Sequence, residues 1–98
     1  MKHIRLSLRA EQDLEKGFAF YEHQQIKLGY YFLDSLKADI DSLVIKAGVH
    51  QVTKLGYFVM IARRFPYAIY YRVEQDLVLV DAILDTRQNP QSITQRFS

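Results

Sequence analysis

The 98-residue chain contains no cysteine. This rules out a disulfide framework, thiolate metal sites and a thiol nucleophile, and nothing in the sequence calls for an oxidising compartment. Glycine and proline are also scarce, at four and two residues. Gly17, Gly29, Gly48 and Gly56 are isolated from one another, so no glycine-rich loop is available to cradle a phosphate. No apolar run approaches the roughly 18 residues that a membrane-spanning helix needs. The start, Met1-Lys2-His3-Ile4-Arg5, leads into alternation rather than into an apolar segment of signal-peptide length. The expectation is a cytoplasmic protein with no membrane partner.

Catalytic and metal-binding patterns are missing as well. His3, His23 and His50 are far apart and have no partner four residues away, and Glu22 beside His23 is not the helical metal motif that requires two histidines. Ser7, Ser35, Ser42, Ser92 and Ser98 lack the strand-turn-helix glycine context of a nucleophile elbow. Asp39 and Asp41, two apart on a helix, face different directions. The sequence therefore predicts no metal, no cofactor and no catalytic residue.

What is present is an ordinary globular composition, 49% apolar and 24% charged, for one domain over residues 1–98. The net charge of +2 is too small for nucleic-acid binding on electrostatics alone. Its distribution is uneven. Residues 1–48 carry seven basic and seven acidic side chains, whereas the remainder carries Lys54, Arg63, Arg64, Arg72, Arg87 and Arg96 against Glu74, Asp76, Asp81 and Asp85.

Ile4, Leu6 and Leu8 alternate with polar residues and predict a short strand, with Ser7 placed to cap a following helix. Ala10, Leu14, Phe18 and Tyr21 share one helical face, and Glu11 and Asp13 sit in the first turn, where the helix dipole favours a carboxylate. After a break at Lys27-Leu28-Gly29, the positions of Phe32, Leu33, Leu36, Ile40, Leu43 and Val44 predict a second helix that stops near Gly48. Aromatic and β-branched residues then predict strands over 57–62, 67–73 and 77–84, with Pro66 at the first turn and Glu74-Gln75-Asp76 at the second. Asn89-Pro90 reads as the cap and first position of a short helix through Ile93. The predicted class is α+β: βααβββ, a helical hairpin packed on a mainly antiparallel four-stranded sheet, with a short C-terminal helix.

Asp81 interrupts the apolar run from Leu77 to Leu84, and a carboxylate there needs a donor; Arg72 or Arg64 is the expected partner. The arginines are otherwise the main functional signal. Arg63 and Arg64 precede a hairpin turn, Arg72 lies on the next strand and Arg87 follows the last one, so that several could converge on one side of a sheet. Guanidinium forks suit phosphates or a partner's carboxylates. Tyr67, Tyr70 and Tyr71 on one strand add aromatic surface that serves core packing or a partner.

The element order, the segment Arg63-Arg64-Phe65-Pro66-Tyr67-Ala68-Ile69-Tyr70-Tyr71-Arg72-Val73 and the segment Val80-Asp81-Ala82-Ile83-Leu84-Asp85-Thr86-Arg87-Gln88-Asn89-Pro90 resemble the RelE/ParE superfamily of bacterial type II toxin–antitoxin modules. The Phe-Pro-Tyr turn followed by Ile-Tyr-Tyr-Arg resembles the ParE branch and its plasmid-stabilisation relatives. That resemblance implies a toxin that inhibits DNA gyrase by binding it. It also implies a hetero-oligomer with a cognate antitoxin, whose C-terminal segment folds onto the toxin. Arg63, Arg64, Tyr70, Arg72 and Arg87, with the tail from Pro90 to Ser98, are the residues expected to meet target or antitoxin. The alternatives are a RelE-like endoribonuclease acting on ribosome-bound mRNA and a non-toxic binding module of the same fold. RelE-type cleavage uses sheet lysines, an arginine and a C-terminal tyrosine. At those places this chain has Val59, Ile61, Ala68 and Ile93, and only Arg87 matches.

Overall fold

Ile4 and Leu6, alternating with His3 and Arg5, form the strand β1 (His3–Leu6) in the computed structural model, which describes the whole chain from Met1 to Ser98. Ser7 ends the strand and caps α1 (Leu8–Gln24), its hydroxyl accepting the Ala10 N–H at 3.1 Å. Next come α2 (Leu28–Asp41) and, past a break at Ser42, the single turn α3 (Leu43–Lys46). The second half supplies β2 (Gln51–Val52), β3 (Phe58–Ile61), β4 (Tyr67–Glu74) and β5 (Leu77–Asp85). It closes with α4 (Pro90–Arg96), where the Asn89 side chain accepts the Gln91 N–H at 2.8 Å and Pro90 opens the helix.

The sheet order is β1-β5-β4-β3-β2, antiparallel except where β1 runs parallel to β5. It has five strands instead of the expected four. The addition is β2, two residues paired to Phe58 and Val59, too short to show any alternation in the sequence. The helical tail also runs past Ile93 to Arg96. The α+β class and the hairpin on the sheet are as the pattern predicts.

One face of the sheet presents Ile4, Leu6, Met60, Ile69, Tyr71, Val78, Val80 and Ile83 to the hairpin, where Ala10, Phe32, Leu36, Ile40 and Leu43 complete the core. The two helices approach closely through glycine. A Cβ on Gly17 would lie 2.4 Å from the Phe32 ring, and one on Gly29 would lie 2.7 Å from the Phe18 carbonyl oxygen. Glu22 secures the link between the helices by accepting the Lys27 and Gly29 N–H groups at 2.9 and 3.0 Å.

A β-bulge resolves the problem of Asp81. Tyr70 pairs with Ala82 but Tyr71 pairs with Val80, which leaves Asp81 as the extra residue. The bulge lets Val80 and Ile83 both face the hairpin while Asp81 points to the opposite face.

Candidate functional site

On the face away from the hairpin, register places Val59 opposite Tyr70 and Ile61 opposite Ala68, with Arg72 farther along β4. Arg72 Nε donates to Asp81 Oδ2 at 2.8 Å, its Nη1 lies 3.4 Å from Glu74 Oε1, and the guanidinium stands 5.8 Å from the Tyr57 ring centroid. The hydrogen bond to Asp81 raises the Arg72 pKa. Of the two partners expected for Asp81, it is Arg72 that takes it. Tyr70 packs 5.1 Å from Phe97, which also meets Tyr57 at 4.6 Å, and burial raises the Tyr70 phenol pKa. The C-terminal tail thus rests on this face, and Tyr70 and Arg72 already have partners within the chain.

The other predicted arginines lie elsewhere. Between β3 and β4 the turn is held by Ala62 N–H to Tyr67 O at 2.8 Å and by Thr86, whose N–H and hydroxyl donate to Pro66 O at 2.8 and 3.1 Å. Buried Asp39 on α2 accepts the Arg63 backbone N–H at 3.1 Å. That carboxylate oxygen is therefore used by the main chain. The Arg63 and Arg64 side chains are exposed, and neither enters an ion pair.

Phe65, the next residue, anchors that turn on the aromatic edge of the hairpin. Its ring lies 4.8 Å from Tyr21, 5.2 Å from Phe32 and 5.5 Å from Tyr31. Tyr31 and Phe20 are each 49% exposed, so the cluster continues from core to surface. Arg87 closes the other side: Nη2 reaches Tyr21 Oη at 3.4 Å, and Nε and Nη2 grip Asp85 in a fork at 3.0 and 2.7 Å. That fork holds the Asp85 carboxyl below its usual pKa and raises that of Arg87. Neighbouring Tyr67 is pushed up to about 12, first by burial and then by Tyr21 and Asp85.

The five residues singled out in the sequence therefore divide. Arg87 contacts Tyr21, and Arg63 and Arg64 lie on the turn that leads into Phe65, whereas Tyr70 and Arg72 sit on the far face of the sheet with partners of their own. Sequence reasoning missed the aromatic component: helical spacing assigns Tyr21 to the core, and Phe20 and Tyr31 fall outside both apolar stripes. It also missed the pairing of Arg96 with Asp13, at 2.8 and 2.9 Å, which clasps α4 to α1 across 83 positions.

The sequence profile described as "ParE toxin of type II toxin-antitoxin system, parDE" matches residues 4–90. The chain belongs to the ParE toxin family. Among solved structures, the fold is similar to a chain of the "Chromosomal ParDE TA system from P. aeruginosa", with 15% identity, coverage of 89% of this chain and 98% of that one, and a TM-score of 0.74. A search of curated proteins gives no match. In this ParE-family chain, Val59, Ile61 and Ala68, expected from the sequence at the places of the RelE-type lysines and arginine, all lie on the face that carries Tyr70. That face presents aliphatic side chains there. No helix is long and apolar enough to cross a membrane.

Proposed function

We propose that this chain is the toxin of a type II toxin–antitoxin module that acts by binding DNA gyrase, and that a cognate antitoxin neutralises it by covering the same surface. The carrying observation is the pair of exposed arginines that enter no ion pair, Arg63 and Arg64, on a hydrogen-bonded turn whose next residue, Phe65, packs against the partly exposed ring of Tyr31. Such a surface suits binding: arginine and aromatic side chains dominate protein interfaces, and a rigid turn loses little entropy when it docks. The aliphatic residues at the RelE-type cationic positions further support binding over RNA cleavage, since a phosphoryl transition state requires cations aimed at it. The site of action is the cytoplasm, where gyrase and a co-expressed antitoxin are both available.

The test is supercoiling of relaxed plasmid by purified gyrase, titrated with the protein with and without antitoxin. Inhibition relieved by antitoxin is the expected result. Unaffected supercoiling together with cleavage of ribosome-bound mRNA would replace this reading with the endoribonuclease, and no effect in either assay would leave the binding module.

A further inference from the structure

Asp13 and Asp39 each give a carboxylate oxygen to a backbone N–H far along the chain. Asp13 Oδ2 accepts the Ile83 N–H at 2.9 Å and is also paired with Arg96. Asp39, 6% exposed, accepts the Arg63 N–H at 3.1 Å and enters no ion pair. Withdrawing a carboxylate from water without a cation beside it is less favourable than filling the same place with an aliphatic side chain. Packing therefore gives no reason for an acid at this position of α2, whereas the backbone that it holds does.

The element that carries Asp39 is itself fixed. Phe32, Leu36 and Ile40 anchor α2 in the core, and Ser42 Oγ donates to the Asp39 carbonyl at 2.6 Å where the helix ends. On the turn, the Ala62 N–H reaches Tyr67 O and the Phe65 ring is seated on the hairpin, so the residues on either side of the two arginines are held. Of the backbone groups of Arg63 and Arg64 themselves, the Arg63 N–H alone is hydrogen-bonded within the chain, and its acceptor is Asp39.

We propose that Asp39 is a positioning residue. From α2 it fixes the main chain at Arg63, so that the two exposed arginines leave the surface in one arrangement and meet the anionic groups of the target with little further ordering. A dipeptide left loose would lose its freedom on binding, which lowers affinity. What acts is the acceptor oxygen and not the charge: asparagine offers a carbonyl to the same N–H, and alanine offers nothing. The inference rests on the reading of the Arg63–Arg64 surface as the one that meets gyrase. Ser35, one turn earlier on α2 and 5% exposed, supplies a control, because its hydroxyl has no partner and Ser35→Ala removes a buried oxygen that holds nothing.

The experiment combines hydrogen exchange of the Arg63 amide with gyrase supercoiling titrated by the full chain, its concentration corrected for the folded fraction. The parent, Asp39→Asn and Ser35→Ala are expected to share slow Arg63 exchange and equal inhibition. Asp39→Ala is expected to exchange that amide about tenfold faster and to require about fivefold more folded protein for half-inhibition. If alanine does not fold, Asp39→Leu, which restores the volume without an acceptor, takes its place with the same expected result. A merely structural acid would lower the urea midpoint in Asp39→Ala and leave inhibition by the folded protein unchanged, which overturns the proposal. So does an asparagine variant that inhibits as poorly as alanine. If the parent itself leaves supercoiling unaffected, the gyrase reading fails, and Arg63 exchange still decides the role of Asp39: equal rates in parent and Asp39→Ala overturn its hold on the turn.

Discussion

Buried Tyr71 illustrates how much a single polar group can settle. Its hydroxyl accepts the Gly48 N–H at 3.0 Å and shares a second hydrogen bond with His50 Nδ1, tying both to the loop after α3. Burial, then the charge of Lys46, lowers the His50 pKa. The folded state therefore binds fewer protons than the unfolded chain just below pH about 6.5, and this contribution to stability is present above that pH and lost as pH falls. Urea midpoints measured from pH 8 to pH 5 should fall, and the fall should be smaller in His50→Gln; an identical profile would remove His50 from the account. Asp13 is a second such point, only 12% exposed, like its partner Arg96. Asp13→Ala strands that guanidinium and the Ile83 N–H together and should cost about 3–5 kcal/mol in urea unfolding. Arg96→Met leaves the carboxylate still accepting the Ile83 N–H, so it should cost less; equal losses would show that the strand-edge bond contributes nothing. Of these polar contacts, the sequence revealed the need of Asp81 for an arginine, because a carboxylate inside an apolar run is conspicuous. It did not reveal the partner of Asp13, which looks like an ordinary first-turn acid until α4 returns from the far end of the chain.

Among the elements, those with a strong repeat or a chemical end signal were legible. Ser7 and Asn89 cap the helices expected of them, Pro66 lies in its turn, and the order of helices and long strands follows the periodicity. Elements without such signals were not legible. β2 has only two residues, the break at Ser42 carries neither glycine nor proline, and nothing in the Leu77–Asp85 pattern announces a bulge or a parallel neighbour. The hairpin shows a further limit, since its apolar stripes state that two helices pack but not how closely. Gly29 sets that distance: a Cβ would come within 2.7 Å of a backbone oxygen, 2.8 Å of Phe18 Cδ1 and 2.9 Å of Glu22 Cβ. Since the oxygen belongs to helix α1, relief requires α1 and α2 to separate. Gly29→Ala should therefore lose about 1–3 kcal/mol in thermal or urea unfolding, in spite of the better helix propensity of alanine. A neutral or stabilising result would mean that the helices slide apart freely.

Across the whole molecule, fold and charge follow separate rules. The core depends on two apolar faces meeting at the distance that Gly17 and Gly29 allow. The cationic surface depends on where carboxylates are missing or already engaged, which a count of residues along the chain cannot show. Arg72 and Arg87 look equivalent to Arg63 and Arg64 in the sequence, yet the first two are held by Asp81 and Asp85 while the latter two remain free. Exposed and unpaired side chains contribute little to folding, so Arg63→Glu combined with Arg64→Glu should leave the thermal midpoint within the range of ordinary surface substitutions, about 0.5 kcal/mol in either direction. Reversing both charges beside the Tyr31 and Phe65 rings should nevertheless abolish most inhibition of gyrase supercoiling, because the partner's carboxylates or phosphates would then meet like charge. Arg72→Ala gives the contrast: removal of its guanidinium leaves Asp81 without its donor, so stability should fall while inhibition by the folded fraction persists. If the double reversal inhibits gyrase as well as the parent does, the surface around Phe65 is not the one that meets the target.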